Sequence, residues 1–450
     1  MKLTELSAIS PLDGRYRHKT SALTAYFSEL ALMRYRVQVE VAYFIALMNA
    51  GISGCKEPDA ETLAQLRKIY EDFDESDARR IKATEKKINH DVKAVEYFVK
   101  EKIEALGLGA CREWVHFGLT SQDINNTAVP LSFRDFLNEL YLPEMDNYLH
   151  RLQSIAEMWK DQAMLARTHG QPASPTGMGK EMAVFAERLK IQLEMLRNIP
   201  VSAKFGGATG NFNAHYAAFP EIDWVSFANQ FLEEELQLKR QQTTTQIEHY
   251  DELAAAFDNM RRINVILTDF ARDIWTYISM DYLGQKINEN EVGSSAMPHK
   301  VNPIDFENAE GNLLLANALF DFLSNKLPVS RLQRDLSDST VTRNIGVPCA
   351  HSFLALASLE KGLKKLSLNR EKINEDLEKN WMVVAEALQT ILRREGYPQP
   401  YEALKALTRK GEKPGKEEIH RFIEGLDISD SIKSELKAIT PQNYTGNALG

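Results

Sequence analysis

Residues 250–283 restrict the fold more than any other stretch of this 450-residue chain. Leu253, Phe257, Met260, Ile263, Leu267, Phe270, Ile274 and Ile278 recur there at steps of three or four. That is the period of an α-helix with one apolar face, and its regularity marks a helix-packing seam. At 1.5 Å per residue the helix is roughly 50 Å long, too long for the core of a compact monomer. The seam therefore predicts partner helices, drawn from other subunits.

Other segments show the same period. Helices are expected over about 21–51, with Gly51 as C-terminal stop, and over 59–73. Residues 77–106 are helical but interrupted by Asn89-His90-Asp91, where Asp91 is the expected N-cap of a helix from Val92 to Leu106. Thr120 followed by Asp123 fits a capping box. The helix it opens runs to about Ala166, with kinks at Pro130 and Pro143. Further helices are expected at 176–199, 303–323 and 347–366. The glycine- and asparagine-rich residues 201–221 are the expected place for any short strands, and 242–249 are polar and irregular. Composition shifts near residue 110, and residues 367–450 read as shorter, more charged helices. The expected domains are 1–110, 111–366 and a small C-terminal 367–450.

Composition excludes several classes. A 44 % hydrophobic content supplies a large core, and a net charge of −9 argues against a general nucleic-acid binder. Cys55, Cys111 and Cys349 are far apart, without disulfide-scaffold or zinc spacing, which points to a reducing, cytoplasmic setting. The first residues hold no apolar signal core, and no apolar run is long enough to span a membrane. Dinucleotide, P-loop and histidine metal motifs are all missing from the sequence.

Several punctuated stretches carry chemistry. Gly293–Pro303 is a glycine-, serine- and proline-broken loop holding Ser294, Ser295, Lys300 and Asn302. A serine can take a proton only if its oxyanion is stabilised, which a lysine and backbone N–H groups can do. Arg167–Ala173 places His169 in a Gly/Pro-bounded turn, and an imidazole titrating near pH 6.5 in water suits proton donation. His90 stands at a helix start, a natural anion site. Arg15 and Tyr16 follow the Gly14 turn. Arg331, Arg334 and Arg343 cluster with Ser337, Ser339 and Thr340, a set suited to phosphate or carboxylate. Gln246 offers an amide, and Thr120 and Ser121 offer hydroxyls at a helix start. Taken singly, each has a plainer reading as a cap, a connector or a solvated basic face. Taken together, they meet the needs of an elimination β to a carboxylate. Such a reaction requires a base for the carbon-bound proton, donors for the aci-carboxylate, an acid for the leaving atom and clamps for geometry.

The Gly293–Pro303 loop resembles the signature loop of the fumarase/aspartase superfamily, Gly-Ser-Ser-x-Met-Pro-x-Lys-x-Asn-Pro, at every fixed position. PLDGRY, KINHDVKAVEYF, TSQDINN, RTHGQPASP, GATGNFNAH, TTQIE and LPVSRLQRDLSDST are similar to the bacterial branch of the adenylosuccinate lyase family and span nearly the whole chain. The resemblance implies an all-α, three-domain fold whose long central helices form a tetrameric helical bundle. Each active site would draw its motifs from three subunits. It also implies release of fumarate from adenylosuccinate, giving AMP, and from SAICAR, giving AICAR, with no metal or cofactor. By the same resemblance, Ser294 is the general base and His169 the general acid. Glu307 orients His169, and His90 is a second active-site histidine. Lys300 and Asn302 clamp the succinyl carboxylates and carbanion, with Thr120, Ser121, Gln246 and Ser295 beside them. Arg15, Tyr16, Arg334, Ser339 and Arg343 form the phosphate and ribose set, and Asn89, Asp91 and Asn308 match ligand-contact positions. Two alternatives stand beside this. One is another fumarate-releasing superfamily lyase, such as argininosuccinate lyase or fumarase, and the other is a silent helical scaffold. The phosphate set argues against the first, and intact Ser294, His169 and Lys300 against the second.

Overall fold

The computed structural model describes residues 4–286, 301–408 and 414–448. The chain forms two compact units: Met1–Met145 with Gln192–Val265 and Gly311–Ala357, and Asp146–Ile191 with Ile266–Glu310 and Ser358–Gly450.

The first unit is built around the helix Glu29–Asn49. The expected start at residue 21 is overturned at Ser28. Its backbone is extended there, and its Oγ accepts from the Ala31 N–H at 3.0 Å, so the long helix is capped anew. This helix is apolar nearly all round because it is packed on two sides. Tyr35, Val39, Tyr43 and Leu47 join a cluster with Ile124, Leu131, Phe205 and Trp224. Val37, Val41, Phe44 and Met48 join another with Leu66, Ile81, Val95 and Val99. Cys55 and Cys111 both pack on the second cluster. They are joined there by a disulfide, with Cα atoms 6.0 Å apart. The expectation of unpaired cysteines is thereby corrected: two turns distant in sequence meet on one core. The free Cys349 is buried.

Strands lie mostly outside the stretch expected to hold them. Ser202–Ala203 does pair, in parallel, with Lys239–Arg240. In the second unit, however, Ala163–Met164 pairs with Thr176–Gly177, Arg167–Thr168 with Gln171–Pro172, and Leu283–Gln285 with Leu366–Leu368, all antiparallel. The helix expected to reach Ala166 ends at Met158. Pro130 is accommodated inside the helix Ser121–Asp135. A widened π-type turn, Phe136–Tyr141, precedes Pro143 and absorbs its missing N–H.

The long helix is Asp251–Ser279. Its stripe is buried from Leu253 through Ile274. In the first unit Phe257 stacks on Phe320 at 5.5 Å and meets Phe133 edge-on at 5.4 Å. In the second unit Phe270 packs against Phe185 and Phe306. The seam expected to require other subunits is therefore filled within the chain. Trp381, Val384, Leu388, Ile419, Ile423 and Leu436 form a separate C-terminal cluster. Among the described residues no helix is long and apolar enough to cross a membrane. No group of three or more His, Cys, Asp or Glu side chains among them could hold a metal ion.

Candidate active site

In the first unit two helix starts and one arginine-bearing loop come together. Asn89 ends the helix Glu75–Ile88 in the left-handed conformation, φ 55°. His90, rather than the expected Asp91, then caps the helix Asp91–Ile103, because its Nδ1 accepts from the Lys93 N–H at 3.1 Å. That bond leaves the ring proton of the neutral imidazole on Nε2. Asp91 is freed for another task. Its Oδ2 accepts from Arg36 Nη2 at 2.8 Å and from Arg343 Nη2 at 3.0 Å. Burial pushes the Asp91 carboxyl up, but the Arg36 guanidinium, the Val92 N–H and Arg343 outweigh it and hold it below the usual range. Arg343 also pairs with Glu29 at 2.5 Å.

The second helix start is Thr120. Its N–H donates to Asp123 Oδ2 at 2.8 Å, the return bond that the capping-box pattern anticipates, and its hydroxyl donates to the same oxygen at 3.1 Å. The other oxygen of Asp123 accepts from Lys204 Nζ at 2.8 Å and from the Gly206 and Gly207 N–H groups at 2.8 and 3.0 Å. Asp123 and Lys204 are both fully buried. Burial raises this carboxyl, but the Lys204 ammonium and these hydrogen bonds prevail and lower it. The pair pins the first turn of the helix Ser121–Asp135 to the 206–207 turn. From that first turn Gln122 Nε2 reaches Ser339 Oγ at 3.5 Å.

The loop supplies the cations. Arg334 Nη2 donates to Ser339 Oγ at 2.7 Å and approaches Asp338 Oδ1 at 3.4 Å. Arg331, expected to join the cluster, instead pairs with Asp335 at 3.1 Å in an exposed position. Arg36, Asn126, Tyr250, Asp338, Ser339 and Arg343 line one small cavity. Gln246 is half-buried in the irregular 242–249 segment. Two residues further on, the Glu248 N–H donates to Asn126 Oδ1 at 3.0 Å. Arg15 is exposed and lies 5.8 Å from the Tyr16 ring centroid. The turn before them needs Gly14, since a Cβ there would stand 2.7 Å from the Glu5 carbonyl oxygen. Arg15, Tyr16, His90, Thr120 and Gln246 do not line that cavity.

The second unit holds the expected proton donor. His169 and Gly170 are the two-residue turn between Arg167–Thr168 and Gln171–Pro172. Both have positive φ, 53° and 74°, the pattern of a type I′ hairpin. The imidazole is thereby held, exposed, at the tip of this hairpin. Glu307 lies in the first turn of the helix Ile304–Lys326 and accepts from Trp275 Nε1 at 3.1 Å. Among the described residues no hydrogen bond joins His169 to Glu307 within the chain. Asn308 Oδ1 accepts from Ser358 Oγ at 2.8 Å. Asn302 is half-buried just ahead of that helix. Ser294, Ser295 and Lys300 lie outside the described residues.

Sequence reasoning missed Arg36, Asn126, Lys204, Tyr250 and Asp338, and it read Asp123 only as a capping-box partner. Arg36 carried a signal, a charge inside the apolar run MRYRVQVEVAYF. The others pair across 81 to 124 positions and leave no local pattern. The Arg334 and Arg343 guanidiniums, held by Asp338 and Asp91, and the Ser339 hydroxyl are donors of the kind an anion requires, although Arg334 does not line that cavity.

A family described as Lyase matches residues 14–317. A fumarate lyase from Mesorhizobium sp. BNC1 superposes with TM-score 0.74 at 19 % identity, covering 95 % of this chain and 96 % of that one. A 3-carboxy-cis,cis-muconate lactonizing enzyme from Pseudomonas putida superposes with TM-score 0.73 at 20 % identity, covering 95 % and 94 %. The chain is thus a lyase with the all-α fold of the fumarase/aspartase superfamily. A second profile, Adenylosuccinate lyase C-terminal, matches residues 330–445. The adenylosuccinate lyase of Dictyostelium discoideum is 55 % identical over 99 % of this chain and 98 % of its own length. That of Escherichia coli K12 is 47 % identical over 100 % and 98 %. The chain belongs to the adenylosuccinate lyase family.

Proposed function

We propose that the enzyme releases fumarate by β-elimination from adenylosuccinate, leaving AMP, and from SAICAR, leaving AICAR, in purine nucleotide biosynthesis. Ser294 takes the carbon-bound proton, and Lys300 and Asn302 stabilise the negative charge that develops on the adjacent carboxylate. The carbon–nitrogen bond breaks as the double bond of fumarate forms, and His169 delivers a proton to the departing nitrogen. Glu307 orients His169, and His90 contacts substrate. Thr120, Ser121, Gln246 and Ser295 hold the succinyl carboxylates. Arg334, Ser339 and Arg343, with Arg15 and Tyr16, take the phosphate and ribose, and Asn89, Asp91 and Asn308 complete the contacts. The observation that carries the nucleotide reading is the Arg334–Ser339 pair at 2.7 Å beside the Asp91-bound Arg343. Lyases of substrates without a phosphate have no use for it. Arg334→Gln should raise KM for adenylosuccinate roughly tenfold or more, the loss of a charge-assisted bond, and weaken inhibition by inorganic phosphate in parallel. Unchanged KM and inhibition would overturn the assignment.

The working form is a cytoplasmic homotetramer with sites shared between subunits. Glu307 engages Trp275 while His169 stands exposed on its hairpin, as expected if each completes a site with another chain. Val265, Leu314, Leu315 and Phe322 are about half exposed on the long helices, an apolar surface suited to partner helices. The division into 1–110, 111–366 and 367–450 belongs to the same proposal.

A further inference from the structure

We infer that Tyr250 and Asp338 are positioning residues for the Arg334–Ser339 anion pair, acting through a buried relay that begins at Asn126. The inference rests on the nucleotide reading above. Asn126 Nδ2 donates to Tyr250 Oη at 2.6 Å, and Tyr250 O–H donates to Asp338 Oδ2 at 3.2 Å. The other oxygen of Asp338 accepts from the Ser339 N–H at 2.7 Å and faces Arg334 Nη2 at 3.4 Å. Asn126, Tyr250 and Asp338 are all buried. One carboxylate therefore fixes both members of the anion pair, and its remaining lone pairs are oriented by one phenol.

Two further observations show that Tyr250 is held there. Its φ is 64°, a left-handed conformation that a bulky side chain adopts only when its surroundings impose it. It also sits at the junction between the 242–249 segment and the helix Asp251–Ser279, with the Glu248 N–H bonded to the same Asn126 through Oδ1 at 3.0 Å. Asn126 thus ties the Gln246 segment and the phosphate pair to one point on the helix Ser121–Asp135. A guanidinium and a hydroxyl set in advance lose less freedom when a phosphate arrives, so the relay acts on binding rather than on the proton transfers.

A double-mutant cycle tests this. KM and kcat for adenylosuccinate, and inhibition by inorganic phosphate, are measured for the wild type, Tyr250→Phe, Arg334→Gln and the double variant. Tyr250→Phe should raise KM about tenfold and weaken phosphate inhibition by a similar factor, as deletion of a bond to a buried carboxylate does. Its kcat should stay within roughly threefold. In the Arg334→Gln background the same substitution should change KM less than about twofold, since what it positions is gone. Equal effects in both backgrounds, or a fall in kcat at unchanged KM, would overturn the relay while leaving the phosphate reading intact. If Arg334→Gln itself changes neither KM nor phosphate inhibition, the phosphate reading fails first. Should Tyr250→Phe not fold, Asp338→Asn carries the same cycle, because it keeps an acceptor for the Ser339 N–H and removes the charge beside Arg334.

Discussion

At the scale of single residues, the folded state commits ionisable groups to states they would not choose in water. Glu248 is the clearest case. Burial, reinforced by Glu252 and Asp251, outweighs its hydrogen bonds and raises its carboxyl to about 8. Its Oε1 accepts from Gln241 at 2.6 Å, while its Oε2 has no partner. The carboxyl is protonated in the folded chain at pH 6 but ionised in the unfolded one, so folding takes up a proton. The stabilisation is full below the unfolded value near 4.5 and is lost as pH rises through about 8. Glu248→Gln keeps the acceptor for Gln241 and removes the titration. The variant should match the wild type in thermal stability near pH 5 and exceed it at pH 8. Parallel losses of stability in both proteins between those values would contradict the state assigned to Glu248.

At the scale of elements, the helix Ser121–Asp135 depends on the buried Asp123–Lys204 pair at its first turn. Removing one partner strands the other charge. Asp123→Ala should cost about 3–5 kcal/mol in urea unfolding, and Asp123→Leu combined with Lys204→Met should recover most of it. A single variant within about 1 kcal/mol of the wild type would show that the pair does not pin the helix. How far such elements can be read from sequence depends on whether their cause is local. The stripe from Leu253 to Ile274 repeats every three or four positions, and the Thr120–Asp123 box spans one turn, so both were legible. The turn holding His169 was legible too, but the two strands flanking it were not, because two-residue strands carry no alternation. The break at Ser28 was hidden by apolar residues that keep helical spacing across it. His90 displaced Asp91 as the cap because an imidazole acceptor can serve where a carboxylate is the usual choice.

At the scale of the whole molecule, the all-α superfamily fold was legible from the helical periods and the signature loop. The partners of the long seam were not. The stripe expected to meet other subunits packs against Phe133, Phe185, Phe306 and Phe320 of the same chain. Periodicity shows that a face is apolar, and it does not say which chain covers it. The apolar residues left outside are different ones, Phe322 among them. The wild type should sediment near four times the 51.1 kDa chain mass, and Phe322→Glu should lower that mass without unfolding the protein. A variant that keeps four chains would move the interface elsewhere.

One chemical property underlies every role assigned above: this lyase acts on a nucleotide. Its most direct test is ultraviolet absorbance of the purified protein with adenylosuccinate, SAICAR, argininosuccinate and malate in separate cuvettes, with fumarate assayed in the products. Turnover of the first two alone is expected, each with stoichiometric fumarate. Turnover of argininosuccinate or malate instead would contradict the phosphate role of Arg334, Ser339 and Arg343, and silence with all four would contradict the elimination itself.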